Sequence, residues 1–464
     1  MATLSPLDIL LILAYFAAVL VVGFRSARKT TSSQGDYLLA GRSLTLPIFV
    51  MTLVSTWYGG ILGVGEFTYR YGISNWVVQG MPYYIFAALF ALFLAKKIRA
   101  TNLYSIPDKL QASYDKKTAI LGAILTFILM TPAPYVLMLG VLLNIVFGWN
   151  MVISVVVIAI VALSYMYFGG FRSDVATDVL EFVLMFAGFA VIIPFAVHHY
   201  GGLGFLERNL PAAHLLWHGG HSIQYIVVWF FIALWTFVDP AFHQRCYAAK
   251  DGMTAQKGIL VSIIFWFAFD CLTLTAGLYA RAALPDISQP MMSYPLLAES
   301  VLPPIAKGLF YIGMLATIMS TLNTLGFVSA QTLGRDILLR AKGIELNTDQ
   351  VSGLSVGYTK IGLVAAFILS VILDFLLPSV VEMWYTIGTV VIPGLLVPVL
   401  AGYFENLRIP SRYAFLSMLF GWATSLSCLI AGRVYDHYPL DVEPMYPGLG
   451  ISVMIWGVGR IRRG

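Results

Sequence analysis

Four hydroxyl side chains, Thr317, Ser320, Thr321 and Thr324, are spaced three or four residues apart. On a helix that spacing places them on one face. Hydroxyl and carbonyl oxygens coordinate a hard cation but do not titrate near neutral pH, so the face suits Na+ better than a proton relay. The same hydroxyls could instead bond back to carbonyls one turn earlier, as Ser and Thr do in apolar helices. A second segment, Leu53 to Glu66, holds four glycines within seven residues: Gly59, Gly60, Gly63 and Gly65. Each costs a helix interior about 1 kcal/mol relative to alanine. A break there would offer carbonyl oxygens to a cation and a half-helix end to a solute. Close helix packing is the alternative use of such glycines.

Acids inside apolar stretches are the next chemical signal, because an unpaired carboxylate there is costly. Asp178 and Glu181 open one apolar segment, where aligned N–H groups favour negative charge and capping alone would account for them. Glu66 and Asp239 lie near segment ends. Asp270 sits deep within Phe265-Trp-Phe-Ala-Phe-Asp270-Cys-Leu-Thr. It must be protonated, paired or facing a polar path, and ion-path use and a static partner are both open. Trp57, Tyr58 and Trp235 are deep aromatics, two of them at the glycine break, and can wall a solute pocket. Tyr135 follows Pro132-Ala-Pro134, a kink that removes two backbone donors and could widen the same space.

These residues are carried by a very apolar chain. Of 464 residues, 59% are hydrophobic and 11% charged, against roughly 25% charged in a soluble domain. The expected fold is therefore an all-α polytopic membrane protein. Thirteen segments approach the ~20 residues that cross a ~30 Å hydrocarbon layer: 7–24, 46–69, 77–95, 119–147, 151–168, 178–198, 222–243, 257–280, 304–334, 355–376, 381–403, 412–431 and 445–459. Of the 28 Lys and Arg, all but Arg70, Arg208, Arg281, Lys307 and Arg433 fall in alternate gaps or at the C-terminus. Basic residues mark the inner face, which predicts an outside N-terminus and places Arg460, Arg462 and Arg463 in the cytoplasm of a multi-pass inner or plasma membrane protein. The net charge of +5 then reflects contact with anionic lipid and requires no nucleic acid.

Other classes find little support. The n-region of the first apolar segment is acidic (Asp8) rather than basic, and no small-residue cleavage site follows, so it reads as a retained span. Cys246, Cys271 and Cys428 show no metal spacing and read as small buried side chains. His214 to His221 read as a solvated loop. There is no Walker sequence, no HExxH and no nucleophile–base arrangement, so neither ATP-driven pumping nor an enzyme is expected.

Three stretches carry a resemblance to a known family. They are Tyr37-Leu-Leu-Ala-Gly41-Arg42, Gly169-Gly170-Phe-Arg172-Ser-Asp174-Val-Ala-Thr177-Asp178-Val-Leu-Glu181, and Gln244-Arg245-Cys-Tyr-Ala-Ala249-Lys250. Together with Met319-Ser320-Thr321 they resemble the sodium:solute symporters. Glu181 stands where that family usually has Gln, and Asp174 where an apolar residue is common. The resemblance implies the leucine-transporter-type fold, with two inverted five-helix repeats over 46–198 and 222–403. Residues 1–30 and 412–464 would then be peripheral helices, the latter with a basic tail. It further implies a sodium site with carbonyl donors at Leu53, Thr56 and Thr317 and hydroxyl donors at Ser320 and Thr321. Asp178 matches an acid linked in the family to sodium movement toward the cytoplasm. Trp57-Tyr58 replaces smaller residues found in several members and would reshape the pocket.

The expected activity is sodium-coupled import of a small organic solute by alternating access, with Na+ as the coupling ion. A transport-like sensor acting with a partner protein, and a channel, are the competing readings. The span from Ala119 to Phe147 and the central parts of the second, seventh and ninth spans carry no Lys or Arg, which favours an amino acid or similar zwitterion over a sugar, a monocarboxylate or an organic cation.

Overall fold

The computed structural model describes residues 3–346, 349–376 and 380–462, so Arg463 lies outside the described residues. Among these residues the chain is helical, and the one β-type pairing is a single bridge between Leu44 and Ala249. The principal helices are α1 (Pro6–Ala27), α2 (Leu46–Trp57), α3 (Ile61–Tyr71), α4 (Trp76–Ala100), α5 (Lys116–Phe147), α6 (Met151–Tyr200) and α7 (Ile223–Ala248). They continue as α8 (Gly252–Ala283), α9 (Ala306–Leu339), α10 (Ser352–Phe375), α11 (Met383–Tyr403), α12 (Ser411–Tyr435) and α13 (Met445–Ile461). Their starts are set by short polar side chains that accept orphan N–H groups. Asp115 accepts from Thr118 at 2.8 Å, Asn150 from Ile153 at 2.9 Å and Asp251 from Thr254 at 2.7 Å.

Ten of these helices are long and apolar enough to cross a membrane, or eleven if the bent pair α2–α3 is one span. Length and composition alone therefore stop short of thirteen, for two physical reasons. The expected fifth and sixth spans lie on one 50-residue helix, α6. At about 1.5 Å per residue, a straight helix of that length would be more than twice as long as a ~30 Å hydrocarbon layer is thick. It is not straight: Gly170 takes φ 55° and ψ −143°, outside the helical region. A Cβ at that glycine would come within 2.5 Å of the Tyr37 carbonyl oxygen, so the turn requires glycine twice over. The second reason is α13, which has only 17 residues.

The axis of the bundle is α9, whose residues are almost all buried, including Thr317, Ser320, Thr321, Asn323 and Thr324. Its first turn is capped from another helix. Asp8, which the sequence marks only as an acid near the first span, accepts the N–H groups of Ile305 and Gly308, each at 2.8 Å. Its other oxygen closes a box with Ser5. Asp8→Ala is expected to cost about 1–2 kcal/mol, the range for losing a helix cap, read as a lower midpoint of thermal unfolding in detergent.

The opposite end of α9 is tied down by ions. Asp108, on the short helix Ile106–Ser113 that follows α4, pairs with Arg335 at 3.0 Å and Arg340 at 2.5 Å. Asp336 pairs with the same two arginines at 2.5 and 3.1 Å. All four side chains are at least 98% buried. Two charges of each sign balance, which is the condition for burying them. Nearby, Arg42 donates to the carbonyls of Tyr247 (3.0 Å) and Asn102 (2.7 Å), and Arg99 to that of Ala249 (2.6 Å). These bonds close the face that carries the basic gaps.

Two sequence expectations change here. His214 is buried, with its Nε2 2.9 Å from the Tyr69 carbonyl oxygen, and burial holds its pKa below the ordinary value. His221 stacks on Tyr225 and packs at a tilt against Tyr71, with ring centroids 4.1 Å apart in both pairs. The expected solvated loop is instead folded over the end of α3. Of the three cysteines, only Cys246 is buried; Cys271 is exposed on the outside of the bundle.

Candidate functional site

The glycine segment does break. Between Trp57 and Ile61 the chain turns by 58°, and no side chain could stand at either glycine of the turn. A Cβ on Gly59 would collide with the Thr321 side chain, and one on Gly60 with Trp384. The break therefore serves close approach as well as backbone exposure: it brings the end of α2 against the middle of α9. There Thr321 Oγ1 donates to the Thr56 carbonyl oxygen at 2.6 Å. Exposed carbonyls inside a membrane need such a receiver.

The other α9 hydroxyls divide their roles. Ser320 Oγ donates to Asp178 Oδ1 at 2.6 Å, and Thr324 Oγ1 to Asp174 Oδ2 at 2.8 Å. Thr317 Oγ1 turns back to the Gly313 carbonyl at 2.6 Å, the local bonding common in apolar helices. The oxygen expected of Thr317 is its carbonyl, the same type as that expected from Leu53 and Thr56. Leu53, Thr56, Ser320 and Thr321 are buried around this junction.

Asp178 and Glu181 do not cap a helix. Asp178 lies eight residues beyond the Gly170 turn, fully buried, with Thr52 Oγ1 bonded to its second oxygen. Glu181 receives the Tyr15 hydroxyl at 3.3 Å, so α1 reaches the centre of the bundle. Asp174, Asp178 and Glu181 form a stripe at helical spacing along α6. Facing the first two is a residue that the sequence shows only within a motif, Arg245. It is fully buried, and its Nη2 donates to Thr56 Oγ1 and Thr324 Oγ1 (both 2.7 Å), Thr52 Oγ1 (2.9 Å) and Asp178 (3.3 Å).

Beside this polar cluster is a cavity of about 160 Å3, small against the ~300–1,000 Å3 of sites for drug-sized ligands. Trp57, Tyr58, Tyr135 and Trp235 all line it, as do Leu53, Thr56 and Thr321. Residues expected on the ion face thus share one cavity with those expected in the solute wall. Trp57 is wedged among Tyr83, Phe242 and Trp266, with ring centroids 4.9–5.5 Å apart. Tyr58 packs on Phe269 and donates to the Trp266 carbonyl at 2.7 Å. The Pro132 kink interrupts α5 and frees the Met130 carbonyl, which receives Ser329 Oγ at 2.6 Å.

Asp270 belongs to this cavity and not to the Asp174–Asp178 stripe; Tyr84 donates to its carboxylate. Asp239 also lines the wall and caps the second half of α7, accepting from Ala241 at 2.7 Å and Phe242 at 3.2 Å. Trp76, Tyr83, Trp229 and Trp384 complete the aromatic lining. Trp384 carries no signal in the sequence beyond being one more tryptophan in an apolar run. No Lys, Arg or His lines the cavity among the described residues, and no cluster of three acids, histidines or cysteines could hold a metal ion among them.

A pocket sharing residues with an oxygen-rich helix junction, inside a bundle of membrane-length helices, defines a membrane carrier. A model of the sodium:solute symporter family matches residues 37–421, and the chain belongs to that family. The sodium/pantothenate symporter of Escherichia coli (strain K12) is 26% identical over 74% of this chain and 74% of that protein. The osmoregulated proline transporter OpuE of Bacillus subtilis (strain 168) is 24% identical over 95% of this chain and 93% of the other. A solved structure of a sodium-coupled sialic acid symporter, substrate-bound and outward-open, superposes with a TM-score of 0.80. That alignment covers 98% and 97% of the two chains at 16% identity, a likeness of fold. The protein is a sodium-coupled secondary carrier of a small organic solute in a membrane, and not an enzyme.

Proposed function

We propose that this carrier imports an amino acid or similarly small zwitterion, with sodium held by the carbonyls of Leu53, Thr56 and Thr317 and the hydroxyls of Ser320 and Thr321. The observation that carries this reading is the Thr321–Thr56 bond that joins α9 to the end of α2 beside its break, in the wall of the cavity. Sodium seated there would tie the broken helix to α9 and favour the state that receives solute, which is coupling by differential affinity. The start of α3 would take the carboxylate, and the aromatic wall with Asp239 or Asp270 would take the amine. In this reading Asp178 lies on the ion's route and Asp270 serves the solute.

The same reading keeps thirteen spans, because the Gly170 turn divides α6 and α13 adds a short crossing. Segments 46–198 and 222–403 are then inverted repeats, with 1–30 and 412–464 flanking them. The N-terminus lies outside and the basic face is cytoplasmic. Sodium-gradient-driven uptake into proteoliposomes, preceded by a thermal-shift screen of amino acids, amines, sugars and carboxylates in sodium and in potassium, tests it. Accumulation without a sodium requirement, or binding without accumulation, would count against symport.

A second cargo reading, an organic cation, is favoured by two carboxylates and a ring of aromatics with no basic residue in the cavity. Asp270→Asn separates the two cargoes. Losing a charged hydrogen-bond partner is worth about 1.5–3 kcal/mol, or roughly 10- to 100-fold in affinity. That full loss is expected for a simple ammonium solute. A zwitterion, also anchored at the α3 start, should lose less.

A further inference from the structure

Arg245 is bound in an unusual manner for a guanidinium. Arginine normally presents its planar fork to acceptors through two or more nitrogens. Here Nη2 alone approaches five oxygens from three helices: Thr52 and Thr56 of α2, Thr324 of α9, and Asp178 and Asp174 of α6, the last at 3.6 Å. Nε and Nη1 have no partner among the described residues. One nitrogen therefore sits in an oxygen cage as a bare cation would.

The position of that nitrogen matters more than its bonding. Thr56, which gives its hydroxyl to Arg245, gives its carbonyl to Thr321; Asp178, which pairs with Arg245, receives Ser320. A sodium ion seated among the proposed ligands would share Thr56 and the Asp178 counter-charge with the guanidinium. Two cations that close repel each other strongly where water is excluded. Arg245 is also carried by the second half of broken α7, whose first residues, Asp239, Ala241 and Phe242, line the solute cavity. A movement of that half-helix on solute binding or release would move the guanidinium relative to Asp178.

We propose that Arg245 is a tethered counter-cation that competes with sodium for the Asp174–Asp178 pair. With sodium absent it offsets one of the two acid charges. When sodium is bound it is displaced, and its return helps to expel the ion. Asp174 sets the balance, since its charge leaves the pair with one negative charge that Arg245 does not match and that attracts sodium. This rests on the sodium site proposed above.

The test measures sodium binding without solute, from the sodium-induced change in tryptophan fluorescence of the purified carrier, with potassium holding ionic strength constant. Arg245→Gln is expected to lower the half-saturating sodium concentration at least about tenfold, because the acids lose their resident cation. Asp174→Asn is expected to raise it by a similar factor, and the double variant to return it to within about threefold of the parent. Arg245→Lys, which keeps the charge, should also stay within about threefold. A midpoint that is unchanged or raised in Arg245→Gln, together with a lower melting temperature, would mark a purely structural ion pair and overturn the proposal. If Arg245→Gln does not fold, Asp174→Asn and the charge-balanced double variant decide in its place. An unshifted midpoint in Asp174→Asn then overturns it. Ser320→Ala and Thr321→Ala run in parallel keep the two ideas apart. If neither moves the parent's midpoint, the sodium site fails, whatever Arg245 does.

Discussion

Thr321→Ala is expected to raise the half-saturating sodium concentration for uptake by about tenfold or more, with Ser320→Ala close behind. Each change removes one of five proposed oxygens, and bonds of this kind to a charge are worth about 1.5–3 kcal/mol. The two variants differ in what else they lose. Thr321 also holds the Thr56 carbonyl at the end of α2, so its loss loosens the junction that sodium is proposed to close. Ser320 is one of the donors that steady Asp178, so its loss leaves that carboxylate to Thr52 and Arg245. Neither hydroxyl sets helix geometry, and expression should be close to that of the parent. Sodium titration of uptake and of protein fluorescence would decide: parent-like sodium dependence in both variants, at normal expression, removes these residues from the ion site.

A larger effect on stability is expected from Asp108→Asn. The buried cluster of Arg335, Arg340 and Asp336 would then lose one of its two negative charges, and breaking a buried pair typically costs about 3–5 kcal/mol. The cluster joins the end of α9 to the helix after α4, so the cost can appear as unfolding or as opening of the basic face. Thermal unfolding reads the first, and labelling of a cysteine introduced at the inner end of the cavity reads the second. Parent-like behaviour in both would mean that the cluster is solvated and does not lock that face. Acid should act in the same direction. Burial works to raise the Asp108 carboxyl, but Arg335 and Arg340 outweigh it and hold it below the usual carboxylate range. Its contribution is therefore complete above the unfolded value near 3.9 and is lost only as pH falls through the lower folded value. Neutral and mildly acidic buffers should leave it intact.

The apolar segments, the hydroxyl spacing of α9 and the glycine break were legible from the chain, because each follows from local rules. A membrane-length run needs only composition, a helical face only three- and four-residue spacing, and a break only residues that weaken a helix. Those rules did not show that one 50-residue helix would carry two expected spans, because the turn at Gly170 is specified by Tyr37 packed against it from far away in sequence. Nor did they separate the acids. Asp178 and Glu181 looked like helix caps because local sequence reports distance to a predicted boundary, not the neighbours across a bundle.

What the sequence by itself determined is the material of the site: oxygen-bearing side chains at helical spacing, a weakened backbone, deep aromatics and a few costly acids. Only the tertiary structure decided how they are shared out. It set Arg245 between Asp174 and Asp178, placed Asp270 on the cavity wall, brought Trp384 from a distant helix over Gly60, and used Asp8 to cap a helix about 300 residues away. The physical reason is range. Periodicity and propensity act over a turn or two, whereas a buried charge is settled by whichever group from anywhere in the chain can reach it without water between them.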